Sequence, residues 1–276
     1  MLRSALYGAK SRALSLVRRG GRTVLWAPDW MGFGNWAYLW LWADIGRRDG
    51  EDRMVLRQPG MDRWLTAFPT LRELTVDRSA VRFTDGRHTE LFGHGIHGES
   101  FTADQLARFV EDRLLDAVRS GPATEPGLVA VNVRRGDYYS NPAFRAEFGF
   151  DQVSYVLEAV DRLQDPVDGF LVVSDDPQWC TEHLERLGRR APLRFVTERD
   201  PLADFRAVAT ARRAVLTNST FSYWAGYTAT VHSGGAARIV APSFFSRVQN
   251  AGRAWHLDPS WDVVEVDPGP PDTDSG

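Results

Sequence analysis

After Gly127 the chain keeps a regular alternation that few folds can accommodate. Short apolar runs at 128–133, 169–174, 193–197, 214–217 and 239–241 are separated by longer amphipathic stretches at 151–164, 177–187, 202–211 and 221–230. Short runs rich in β-branched residues read as buried strands, and the stretches between them as helices. A helical crossover returns each strand parallel to the one before it and covers a sheet face. The region 128–266 is therefore expected to be an α/β domain with a doubly wound parallel sheet.

The first half uses the same pattern less regularly. A strand is expected at 23–28. Gly32-Phe33-Gly34-Asn35 follows as a loop, then a helix at 36–48. Further strands are expected at 53–57 and 73–77, and 78–101 reads as irregular. A helix at 102–118 has Thr102 as its cap. Trp36, Tyr38, Trp40 and Trp42 on the first helix read as core rather than as a sugar platform. Ser120 to Gly127 is polar and rich in Pro and Gly, which marks a domain boundary. The organisation expected is a basic segment 1–22, an α/β domain 23–120, a second α/β domain with a Rossmann-like sheet at 128–266 and a disordered tail 267–276.

Composition narrows the function. Among 276 residues, 43% are hydrophobic and 25% charged, as in a globular domain, and the net charge of −3 excludes a general nucleic-acid binder. Cys180 is the single cysteine, so neither an internal disulfide nor a cysteine metal cluster can form. No apolar run approaches the ~20 residues of a membrane span. Residues 1–22 carry Arg3, Lys10, Arg12, Arg18, Arg19 and Arg22 without an acidic residue, and Leu2, Leu6, Ala9, Ala13, Leu16 and Val17 at helical spacing. Such a helix packs on its own domain or lies peripherally on an anionic membrane surface, and both readings stand.

The chemistry is expected at the carboxyl ends of the strands, where open α/β sheets bind ligands. Asn132-Val133-Arg134-Arg135-Gly136-Asp137-Tyr138 places two guanidiniums there. Arginine forks match phosphate oxygens, which points to a diphosphate; the plainer alternative is an Arg135–Asp137 ion pair. Ser174-Asp175-Asp176 either caps the next helix or binds Mg²⁺. Asp204 compensates a helix dipole or accepts hydrogen bonds from a nucleobase. Thr217-Asn218-Ser219-Thr220-Phe221-Ser222 puts small hydroxyl residues before a helix, where a phosphate is stabilised. Of His88, His94 and His97 only the last two stand at i, i+3 spacing and no carboxylate motif accompanies them, so a loop with a single His facing an acceptor is favoured over a metal site.

Together these stretches resemble the α-1,2-fucosyltransferase family. Residues 132–138, with Ser140-Asn141-Pro142 behind them, resemble its His-x-Arg-Arg-Gly-Asp-Tyr motif. Ser174-Asp175-Asp176 with Trp179-Cys180, and Asp204-Phe205 with 218–225, resemble its second and third blocks. Gly32-Phe33-Gly34-Asn35 resembles its amino-terminal Gly-x-Gly-Asn loop. The four motifs run in order from about 30 to 262.

The resemblance implies two Rossmann-like domains facing across a cleft, of the type called GT-B. It implies an inverting transfer of L-fucose from GDP-fucose to a galactose-ended glycan, in the cytoplasm or at the inner membrane face, in bacterial surface-polysaccharide assembly. It implies no cofactor and no metal. Arg134 would contact the β-phosphate, with Arg135 and Asn132 beside it. Ser219, Thr220 and Ser222 would line the phosphates, Asp204 would contact guanine, and Gly32, Gly34 and Asn35 would face the donor. Arg134 would stabilise the leaving diphosphate, and Asp137 or Glu147 would take the acceptor proton. The chain departs from the pattern at Asn132, which replaces the motif's leading His. That departure keeps open a binding homologue without turnover, and a transferase for another GDP-sugar.

Overall fold

The computed structural model describes residues 21–88, 101–163, 166–196, 200–255 and 257–269. The expectation for 1–22 falls outside these residues but for its last two, as do His94, His97 and the end of the tail. The chain divides into two compact units, 1–105 and 106–276. The division precedes the polar stretch at 120–127 because residues 106–119 pack with the second unit. Phe109 meets Trp224 edge-on at 5.3 Å, and Arg206 donates to Ala117 O at 2.8 Å.

The first unit is an α/β layer. β1 (Arg22–Leu25), α1 (Phe33–Arg48), β2 (Asp52–Leu56), α2 (Asp62–Ala67), β3 (Thr75–Val76) and β4 (Gly86–His88) follow in order. The strands form one parallel sheet in the order β3-β2-β1-β4. The aromatic residues of α1 are core, as expected: Trp36, Tyr38 and Trp40 are buried. α1 starts at Phe33, with Gly32 as its N-cap, so Gly34 and Asn35 sit in its first turn and not in a loop. Phe33 decides this start. It is 4% exposed and stacks on Trp64 at 3.9 Å, which anchors the turn from outside the local sequence. β4 lies in the stretch expected to be irregular. Leu25 pairs with His88, and that ring stacks on Trp42 at 5.9 Å.

α3 (Ala103–Phe109) is capped reciprocally by Thr102 and Gln105. A wide π-turn over Val110–Leu114 separates it from α4 (Leu115–Arg119), where one continuous helix was expected.

The second unit continues with β5 (Leu128–Val133), α5 (Gly136–Ser140), α6 (Pro142–Phe148), α7 (Gln152–Leu163), β6 (Gly169–Ser174), α8 (Pro177–His183), α9 (Glu185–Gly188) and β7 (Leu193–Phe195). Then come α10 (Pro201–Ala209), β8 (Arg213–Val215), α11 (Thr220–His232), β9 (Arg238–Pro242) and β10 (Asp262–Val264). All six strands are parallel, in the order β10-β9-β8-β5-β6-β7. The first strand of this unit is thus central, and the chain winds outward from it both ways. The order reverses between β5 and β8, and a doubly wound sheet opens a crevice at such a point. Every residue of β5 is buried, as it must be with helices on both faces. Val129, Val131 and Val133 pack with Tyr155, Val156 and Val160 of α7. The alternate residues Ala130 and Asn132 take the opposite face.

Candidate functional site: an anion-binding strand end

The carboxyl ends of β5 and β8 are tied together. The Arg134 N–H donates to Thr217 Oγ1 at 3.0 Å, and Tyr155 donates its hydroxyl to Leu216 O at 2.5 Å. Asn218, fully buried, donates to Phe148 O at 2.9 Å and to Phe245 O at 2.8 Å. The loop before α11 is therefore braced from three sides. At its end Ser219 is extended and makes no side-chain cap bond, and the first turn of α11 carries no acid. The first N–H groups of a 13-residue helix and the hydroxyls of Ser219 and Thr220 thus offer donors to an anion, with the helix dipole in the same sense.

Arg134 follows β5 beside this loop, tied to it by its N–H on Thr217. Its guanidinium lies 2.6 Å from Asp175 and 2.5 Å from Asp137. Burial works against its charge, but Asp175 and Asp137 outweigh it, so the group is held more firmly protonated than usual. Asp175 also accepts the Arg135 N–H at 2.8 Å. Gly136 makes this fit possible, because its φ is +20° and a Cβ there would collide with Asp175 Oδ2. Asp176 caps α8 through the Trp179 N–H at 3.0 Å, which is the capping role weighed for this pair. Among the described residues no group of three or more His, Cys, Asp or Glu is placed to hold a metal.

Asp204 sits in the first turn of α10. Burial, together with Asp200 and Asp175, pushes its carboxyl up to about 6. A half-buried carboxylate with a raised pKa, and with no basic partner among the described residues, is suited to the N–H donors of a base edge.

Other expected residues are placed differently. Arg135 leaves β5 on the other face, so the two arginines do not form one cradle. Asp137 pairs with Arg134, not with Arg135. Asn132 is 5% exposed and donates to Val173 O at 3.1 Å. Ser222 is fully buried and donates to Asn132 Oδ1, so its hydroxyl is spent inside the domain, not on the helix-start surface. Glu147 accepts from Ser246 at 3.0 Å and from Gln249 at 3.5 Å. Gly32, Gly34 and Asn35 belong to the first unit, at the start of α1. Cys180 is buried, its thiol pushed up to about 11 by burial, and is no nucleophile. Sequence reasoning missed Gln152, which donates to Arg134 O at 2.8 Å. Nothing local marks it, since a glutamine opening a helix is unremarkable until the strand beside it is known.

A doubly wound parallel sheet with donors near its strand ends is shared by many proteins of different function, and comparison places this chain among the glycosyltransferases. The family model described as glycosyl transferase family 11 matches residues 102–250, more than half of the chain. The chain belongs to that family. Galactoside alpha-(1,2)-fucosyltransferase 1 from Oryctolagus cuniculus is 29% identical over 207 residues, which are 71% of this chain and 54% of that protein. An alpha-1,2-colitosyltransferase from Escherichia coli is 28% identical over 102 residues, 36% of this chain and 35% of that one. The chain thus spans about half or less of the length of the relatives it matches. POFUT1, solved in complex with GDP-fucose, aligns with a TM-score of 0.39 at 10% identity, over 80% of this chain and 74% of that one.

Proposed function

We propose that the chain is an inverting α-1,2-fucosyltransferase that moves L-fucose from GDP-fucose to a galactose-ended glycan in bacterial surface-polysaccharide assembly. The observation that supports the reading is the bond from the Arg134 N–H to Thr217, in the loop that leads to the uncapped start of α11 at the β5–β8 switch point. In this reading the diphosphate lies between Arg134 and that helix start. Asp204 takes the N–H edge of guanine. As the glycosidic bond breaks, charge grows on the β-phosphate, and fixed donors stabilise it more than they stabilise the intact donor. The sugar gains oxocarbenium character and the acceptor hydroxyl enters from the opposite face. Asp137 is the carboxylate tied to the phosphate arginine, and we assign it the acceptor proton. Glu147, held by Ser246 and Gln249, braces the 246–249 loop.

Because Asp175 holds Arg134 and Asp176 caps α8, the proposal gives the phosphate charge to arginine and helix amides without a divalent ion. The match to a colitosyltransferase favours a second reading, in which the same site moves another GDP-linked sugar. For residues 1–22 we propose peripheral contact with an anionic membrane surface; no helix among the described residues is long and apolar enough to cross a membrane. The test is a donor screen with nucleotide release and acceptor mass gain as readouts. Release and mass gain with GDP-fucose are expected. Turnover with a different GDP-sugar alone would select the second reading, and GDP binding without turnover on any donor would overturn both.

A further inference from the structure

Consecutive residues leaving a strand point to opposite faces. Arg134 turns toward Asp137 and Asp175, whereas Arg135 follows the face of Val131 and Val133. There its guanidinium carbon lies 3.7 Å from the Tyr139 ring centre and 3.8 Å from that of Trp179. His183 extends the column, stacked on Trp179 at 4.5 Å. Rings covering a guanidinium leave its N–H edge for hydrogen bonding. The Arg135 Nε is buried without a hydrogen-bond partner.

Arg135 lines a cavity of about 790 Å³, within the range of small-molecule sites. Gln152 lines it too. It is 2% exposed, and while its Nε2 holds Arg134 O, its Oε1 is buried without a partner. One orphan donor and one orphan acceptor thus belong to side chains in the cavity's walls. Arg145 and Arg247 add positive charge while giving N–H groups to backbone carbonyls. Asp151 and Asp267 also line it, with carboxylates accepting the N–H groups of Ser154 and Gly269. Three guanidiniums thus face two carboxylates, beside an aromatic wall.

We infer that this cavity is a second binding site, apart from the Arg134 site, that takes an anionic sugar. The carboxylate or phosphate ester lies on the Arg135 edge and a sugar hydroxyl donates to Gln152 Oε1. A bare inorganic anion leaves the Gln152 acceptor unmatched, and a neutral sugar leaves the guanidinium edge unmatched. The two sites share a partition, because Gln152 holds the Arg134 carbonyl and Asp175 is bonded to both arginines. The inference stands whether or not the donor is GDP-fucose.

The test is isothermal titration of the full chain, with saturating GDP present, against glucuronate, glucose 6-phosphate, glucose and inorganic phosphate. Glucuronate or glucose 6-phosphate is expected to bind at least ten-fold more tightly than glucose or inorganic phosphate. Gln152→Met and Arg135→Gln are each expected to weaken that binding ten-fold or more. Loss of binding on GDP addition would overturn the second site. Equal binding of inorganic phosphate would reduce it to an adventitious ion only, and an unchanged affinity in Arg135→Gln would overturn it. If either variant fails to fold, the selectivity and GDP competition of the unaltered chain still decide. Should GDP alone give no heat, the donor reading fails while the glucuronate titration, run without GDP, still decides this one.

Discussion

Arg134 and Asp175 sit 2.6 Å apart, and the same carboxylate accepts the Arg135 N–H. One side chain, 40 residues downstream, thus fixes both the guanidinium and the backbone that carries it. If Arg134 stabilises the leaving diphosphate, Arg134→Ala lowers kcat by about 10²–10³ with little change in melting temperature, by analogy with loss of a single transition-state donor. Arg134→Lys recovers only part, because an ammonium cannot fork. Near-normal turnover in Arg134→Ala would remove the phosphate assignment.

Asp204 gives a pH dependence. Its folded-state pKa, about 6, lies above its ordinary value of 3.8, so the native chain holds the proton more tightly than the unfolded chain. Stability from this group is full below pH ~3.8 and is lost as pH rises through about 6. Asp204→Asn is therefore expected to melt higher than the parent at pH 8, with the gap closing by pH 4. If Asp204 takes the N–H edge of guanine as proposed, that contact needs the ionised carboxylate, and GDP affinity rises with pH through the same window. A flat affinity profile between pH 5 and 8 would refute the assigned contact.

Ser222 and Asn132 form a buried pair behind the site. Ser222→Ala leaves Asn132 Oδ1 without its donor and costs about 1–3 kcal/mol of stability. Chemical denaturation measures this directly. KM for the donor is expected to change less than two-fold; a change in KM with stability intact would put the Ser222 hydroxyl on the ligand instead.

Gly136→Ala combines a positive φ with a collision at Asp175 Oδ2. Asp175 must move, and Arg134 with it. The expected result is a fall in kcat of about ten-fold or more, the order of a misplaced catalytic group, at modest cost to melting temperature. Unchanged kinetics would show that the Arg134–Asp175 geometry does not matter.

If arginine and helix amides hold the phosphates as proposed, transfer is expected to persist in excess EDTA. Activity lost in EDTA and restored by Mg²⁺ or Mn²⁺ would make Asp175 or Asp176 a metal ligand.

The sequence by itself determined the elements whose signal is local. β5 and β6 fall at 128–133 and 169–174 because runs of Val, Leu and Phe bounded by Gly, Ser and Arg leave little choice. The parallel sheet followed from the alternation, and the hydroxyl-bearing loop before α11 from small polar residues between a strand and a helix. β4 and β10 escaped, since three residues hold no period and no clear run of apolar residues marks either; each is defined by its pairing, β4 with β1 and β10 with β9. The π-turn in 110–114 and the early start of α1 escaped for a related reason, being set by packing. Only the tertiary structure decided what each polar side chain meets. Arg134 and Arg135 are neighbours in the sequence, yet one pairs with Asp175 while the other enters an aromatic column on the opposite face. Asn132 finds Ser222, 90 residues away, and Gln152 finds the Arg134 carbonyl. Periodicity records which face of an element is buried, but a hydrogen bond needs two groups within about 3 Å, and that proximity exists only once the sheet and its helices have assembled.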